Sequence, residues 1–241
     1  MSQPKISKIE TGRQLPTATD IESLVAPLRL APATSEALVH EAERLRAAFA
    51  NWRVTEQSLA EEQRTFGALE HEARLITDVQ PVVIPGLLQT ADYARAIFSR
   101  VTFADVEDID AAVTERMKRQ RILTSADRSF QFVILETALR TRYGSPQLML
   151  SQIRHMQLIA SWQNVDLAIV PVDAVLPIVL QHGFTIFDDR FVSADTTSGA
   201  LRVHSGSEVK DYINAAAELH AVAATGDATQ ALLSTIAATY M

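Results

Sequence analysis

An apolar residue returns at every seventh position from Leu38 to Ala73: Leu38, Leu45, Trp52, Leu59, Phe66 and Ala73. A seven-residue spacing stays on one side of an α-helix, so this stretch must present a helical ridge rather than an alternating strand. A coiled coil needs a second apolar line beside the first. Here the companion line runs Ala42, Phe49, Glu56, Gln63 and Glu70, turning polar after Phe49. The expected form is one or two helices over about residues 34–76, packed on a domain body, with helix pairing in a dimer as the lesser alternative. A break is expected near residues 51–55, where β-branched and short polar residues cluster.

The remainder alternates helical and extended signals. Val82-Val83-Ile84 reads as a short extended piece bracketed by Pro81 and Pro85-Gly86. Helices are expected over residues 90–98 and 106–123, the latter with the stripe Val106, Ile109, Val113 and Met117. Strand patterns cover residues 130–135, 165–170, 183–187, 191–194 and 201–203. A helical turn follows near Glu136, and helices are expected over 147–162, 208–223 and 229–240. Near the N-terminus, Pro4 suits a first helical turn, Gly12 and Leu15-Pro16 break the chain, and Thr17, Thr19 or Asp20 can cap a second short helix. Two helices this short bury too little to stand alone. The fold class expected is α+β: a helix-rich body around a small, mainly antiparallel sheet, preceded by a short all-helical segment.

At 241 residues and 47% hydrophobic, the chain can bury a substantial core in one domain or two unequal ones. It contains no cysteine, which removes disulfide scaffolds and thiolate metal sites and fits a cytoplasmic setting. No signal-peptide pattern is recognised at the N-terminus, and no apolar run approaches the roughly 18 residues of a membrane span. The net charge of −7 disfavours nucleic-acid binding by the whole surface, though not by a local basic site.

The segment SQPKISKIETGRQLP, Ser2 to Pro16, resembles the recognition helix and following turn of XRE-type helix-turn-helix repressors. The likeness is closest to actinobacterial, antitoxin-like transcriptional regulators with a characteristic C-terminal domain. It continues through Leu69 to Phe98, where PGLLQT (Pro85 to Thr90) followed by Tyr93-Ala94-Arg95 is its most specific signature. ERMKRQRIL, FVILETALRTRYG and GFTIF extend it downstream. The family places two further helices before the recognition helix, so the helix-turn-helix is expected to be truncated here. FVSADTT, residues 191–197, also departs from the family's aromatic-rich strand and glutamate. The resemblance implies a partial helix-turn-helix over 1–30, a helical connector or packing arm over 31–80 and an α+β regulatory or interaction domain over 81–241.

The implied DNA-contacting residues are Gln3, Lys5, Ser7, Lys8 and Arg13, amide and hydroxyl groups for base edges and cations for phosphates. The alternative for them is a solvated helical tail. Within PGLLQT and its helix, Gln89, Tyr93 and Arg95 are candidate ligand or partner groups, although Pro85, Gly86 and the two leucines suit a structural junction better. Glu136 is a fourth candidate, more simply paired with a neighbouring arginine. Asp188, Asp189 and Asp195 suit a solvated rim. The six histidines form no metal pattern, and no phosphate loop, dinucleotide motif or nucleophile elbow occurs, so neither an enzyme nor a cofactor is expected. The resulting expectation is a cytoplasmic transcriptional regulator. Its partners are operator DNA if the helix-turn-helix is complete in the natural product, a homodimer or full-length paralogue, and an unidentified small molecule or toxin-like protein. The alternative is a stand-alone small-molecule- or protein-binding module that has lost DNA binding.

Overall fold

In a computed structural model, residues 3–10, 16–28, 30, 32–52, 58–100, 106–196, 199–204 and 206–241 are described; the side chains of 8, 43–52, 106–107, 195–196 and 199 lie outside that description. The chain divides into two compact units, Met1–Val54 and Thr55–Met241.

The smaller unit contains α1 (Gln3–Glu10), α2 (Ala18–Val25) and α3 (Pro32–Trp52). Thr17 is the cap of α2. Its hydroxyl accepts from Asp20 N at 3.1 Å while Asp20 Oδ2 accepts from Thr17 N at 3.0 Å, so two orphan donors are satisfied reciprocally. The other oxygen of Asp20 takes Lys5 Nζ at 2.5 Å, tying α1 to α2. One carboxylate therefore serves a cap and an ion pair. The Lys5 hydrogen bond, followed by that from Thr17 N, pulls the Asp20 carboxyl down to about 2.

The larger unit runs α4 (Leu59–Glu72), β1 (Leu75–Gln80), α5 (Ala91–Phe98), α6 (Val106–Arg119), β2 (Ser129–Leu135), α7 (Glu136–Arg140), α8 (Pro146–Ile159), β3 (Val165–Val170), β4 (Phe184–Phe187), β5 (Phe191–Thr196), β6 (Gly199–Val203), α9 (Gly206–Ala221) and α10 (Asp227–Ala238). It is an α+β unit, its helices surrounding one six-stranded sheet of order β3-β2-β1-β4-β5-β6. Strands β1, β2 and β3 are parallel, joined by the helical crossovers that parallel pairing requires. Strands β1, β4, β5 and β6 pair antiparallel in succession.

Each sheet face is covered. On one, Ile76, Phe130, Phe132, Ile134, Leu167 and Ile169 meet Met149, Ile153 and Met156 of α8 and Leu233 and Ile236 of α10. On the other, Val79, Val133, Phe184, Ile186 and Val192 meet Val209, Ala216 and Leu219 of α9. This is the period-two alternation of strands read from both sides.

Two sequence expectations are corrected. Residues 75–80 form the strand that joins the two halves of the sheet, not the end of a helix, and 81–83 form bends rather than an extended piece. The helix stops at Glu72, Ala73 turns extended, and LITDVQ gains backbone partners on both sides, a non-local pairing that local pattern cannot register. The arm drawn over 31–80 is therefore shared between the units, α3 belonging to one and α4 and β1 to the other. Of the break expected near 51–55, residues 51 and 52 still belong to α3 and the rest lies outside the described residues.

Candidate functional site

Beyond the C-terminal end of β1, where a parallel neighbour lies on one side and an antiparallel one on the other, the larger unit opens a cleft of about 440 Å³. In open sheets with parallel strands, ligands bind in a crevice at the strand ends where the strand order reverses, as it does here beside β1. The cleft is also within the size range of small-molecule sites.

Its walls come from α4, α6 and the 81–89 segment, and its floor from β1, β4 and β5. Two arginines of α6 brace the walls. Arg116 Nε donates to Gln63 Oε1 at 3.0 Å and its Nη1 to Gln89 Oε1 at 2.6 Å, with the guanidinium over the Phe98 ring at 4.3 Å. Arg119 clamps Glu70 with two bonds of 2.9 and 2.6 Å, also donates to Gln63 Oε1, and lies over Phe66 at 5.2 Å. Glu70 and Arg119 are both nearly enclosed, and the fork-to-fork geometry offsets part of the cost of burying them. Asp108, also on α6, accepts from Leu59 N at 2.7 Å and secures the start of α4.

The floor is polar as well. Asp78, Thr185 and Ser193 are buried, and Asp78 Oδ1 accepts from Gln80 Nε2 at 2.8 Å. Gly183 permits the close approach of Gln80, whose Oε1 would collide with a Cβ at that position.

The PGLLQT segment serves as a junction and contributes a wall. Leu87 and Leu88 enter the core, Thr90 caps α5, and Gln152 Nε2 donates to Leu88 O at 2.6 Å. Gln120 Nε2 holds Gly86 O and Gln89 O at 3.0 and 2.6 Å. Gln89 spans both roles, donating to Ile84 O at 2.7 Å and receiving Arg116.

Of the four candidate ligand residues, Gln89 alone lines this cleft. Tyr93 is fully enclosed and its hydroxyl accepts from Ile84 N at 3.3 Å; burial pushes the phenol's pKa up. Arg95 is exposed on α5 and paired with Asp110. Glu136 lies in α7, paired with Arg140 at 2.5 Å and accepting from Val172 N at 2.8 Å, which is the arginine pairing read as its simpler role. Asp188 departs from the expected solvated rim. It adopts φ 55° and its Oδ1 accepts from both Arg74 N and Leu75 N at 2.9 Å, fastening the start of β1. Asp189 is exposed, and the Asp195 side chain lies outside the described residues.

In the smaller unit, Gln3 and Ser7 are exposed on α1 and Lys5 is engaged by Asp20. The Lys8 side chain and Arg13 lie outside the described residues.

Gln63, Glu70, Asp78, Thr185, Ser193, Arg116 and Arg119 went unnoticed as site residues. The one signal available was the companion line of the heptad, which turns polar through Gln63 and Glu70. Among the described residues no cluster of three His, Asp or Glu side chains is placed to hold a metal ion, and no helix is long and apolar enough to cross a membrane.

These features define an α+β unit with a braced polar cleft at the strand ends. Residues 63–235 match the family described as a domain of unknown function, DUF5753, and the chain belongs to that family. No curated protein matches the chain.

Proposed function

We propose that the chain is a transcriptional regulator of the XRE-like, antitoxin-like kind, acting in the cytoplasm, in which the larger unit senses a small molecule. The observation that carries this reading is the cleft: buried polar side chains converge there on α4, the first helix after the boundary at Val54. A ligand engaging Gln63, Gln89 or their shared Arg116 acts on α4 directly, since these groups bind α4 to α6 and to the PGLLQT segment. The smaller unit reads operator DNA through Gln3, Lys5, Ser7, Lys8 and Arg13, with half-site recognition by a homodimer or with a full-length paralogue. A toxin-like protein is a further partner of the larger unit.

A second reading, a stand-alone binding module, draws support from the Lys5–Asp20 pair, which engages one of the few cations available for phosphate contact. A mobility-shift titration of the full chain against its own promoter region, repeated over a salt series, separates the two. The regulator reading expects a specific complex that weakens with salt and is lost in the Gln3→Ala/Lys5→Ala variant. Absence of a specific complex leaves the stand-alone module.

A further inference from the structure

The floor of the cleft belongs to a single row of the sheet. Register carries it through all six strands: Leu167, Phe132, Asp78, Thr185, Ser193 and Arg202. Residues paired in register share a face, so these six side chains stand on the same side. The next row on that face is Val165, Phe130, Ile76, Phe187 and Phe191, apolar throughout. Of the first row, Asp78, Thr185 and Ser193 line the cleft, while Arg202 stands beside them on β6 and outside the lining.

Ser193 differs from the charged groups around it. It is 2% exposed, and its Oγ is buried with no hydrogen-bond partner among the described residues. A hydroxyl can donate and accept, and burying one unmatched is costly. The charged side chains of the lining are already engaged. Arg119 clamps Glu70, Arg116 is divided between Gln63 and Gln89, and Gln80 Nε2 donates to Asp78. Glu62 is engaged likewise, and His182 Nδ1 lies 3.1 Å from Gly183 O. An ionic ligand must break one of these pairings to gain a counter-charge, leaving its former partner uncompensated. An uncharged head needs only the Ser193 hydroxyl. The overall charge points the same way. Glu62, Glu70 and Asp78 stand against Arg116 and Arg119 on the lining, and Arg202 beside the floor brings the two signs level.

The rest of the ligand meets an apolar wall. Leu59 and Phe66 of α4 and Ile97 and Phe98 of α5 line the cleft. Phe66 adjoins the floor, its ring centroid 6.1 Å from that of Phe187, two residues along β4 from Thr185. The volume of about 440 Å³ lies in the lower part of the range for small-molecule sites, which suits a compact ligand.

We propose that the cleft takes a compact, uncharged ligand with an apolar body and an amide or hydroxyl head. The head bonds Ser193, and the body packs on Leu59, Phe66, Ile97 and Phe98. This deepens the reading of the cleft as a sensory site and rests on it.

The test is calorimetric titration of the full chain with four probes of related shape. N-acetylphenylalaninamide is neutral, N-acetylphenylalanine is its anionic relative, phenylalaninamide its cationic one, and N-acetylglycinamide lacks the apolar body. The neutral aromatic probe is expected to bind, with either charged relative about tenfold weaker or more and no heat from the glycine compound. Ser193→Ala should weaken the neutral probe about three- to tenfold, the loss of one hydrogen bond; circular dichroism checks that the variant is folded. Tighter binding of a charged relative, no heat from the neutral aromatic probe, or full affinity in Ser193→Ala overturns the assignment. Binding as expected with operator affinity unchanged supports the ligand class and sinks the sensory reading instead. A charged relative that binds best and shifts operator affinity does the reverse.

Discussion

The two ends of one sheet row differ in what completes them. Toward β3, Phe132 and Leu167 are enclosed by α8 and α10, and each apolar surface meets another. Toward β6, Asp78, Thr185, Ser193 and Arg202 share the same face and similar strand geometry, yet two of their polar atoms, Ser193 Oγ and Arg202 Nε, find no partner among the described residues. Hydrophobic burial is satisfied by any well-shaped neighbour, whereas a buried donor needs a specific acceptor. The apolar end therefore functions as core. The polar end keeps two buried donors that the described residues do not match.

Changes on either side should have opposite signatures. The largest expected effect is at the apolar end: Phe132→Ala removes a fully buried ring and should cost about 3–5 kcal/mol in urea denaturation. A cost well under 1 kcal/mol would mean that this end is not core. Next is the brace of the polar end. Arg119→Met leaves Glu70 enclosed without its cation and should cost about 3 kcal/mol, most of it recovered in the double variant Arg119→Met/Glu70→Leu. An additive double variant would show that the two charges do not act as a pair.

The smallest effect is expected in the other unit, where Asp20 and Lys5 form a more open counterpart. Because the Asp20 carboxyl is pulled from 3.8 to about 2, its stabilising share is full above about pH 4 and disappears as pH falls toward 2. Lys5→Met should return the carboxyl toward its ordinary range, which an NMR pH titration of Asp20 reads directly. An unshifted titration would place the main cause in the Thr17 cap instead.

Much of the outline was legible from local pattern. The strand at Val165–Val170 carries its apolar run between Asn164 and Pro171, and Ser145 with Pro146 announces the start of α8. Strand β1 was hidden because Leu75 and Ile76 extend an apolar helical ridge, and only pairing with two distant strands selects the extended form. The candidate site was hidden for a related reason. Gln63 and Glu70 read as the point where a coiled-coil line fails, although their partners Arg116 and Arg119 lie some fifty positions away. Ser193 offered less still. A serine in FVSADTT becomes informative only when register sets it beside Thr185 and Arg202.

The central claim is that the polar end of the row is built for a ligand and not for the fold. Chemical denaturation of the unliganded Ser193→Ala variant against the parent tests it most directly. If Ser193 Oγ has no partner in the free protein, the variant should be as stable as the parent or more so, by about 1 kcal/mol, because an unmatched buried hydroxyl is removed. A loss of about 1 kcal/mol or more would show that the hydroxyl already serves the fold, contradicting the account.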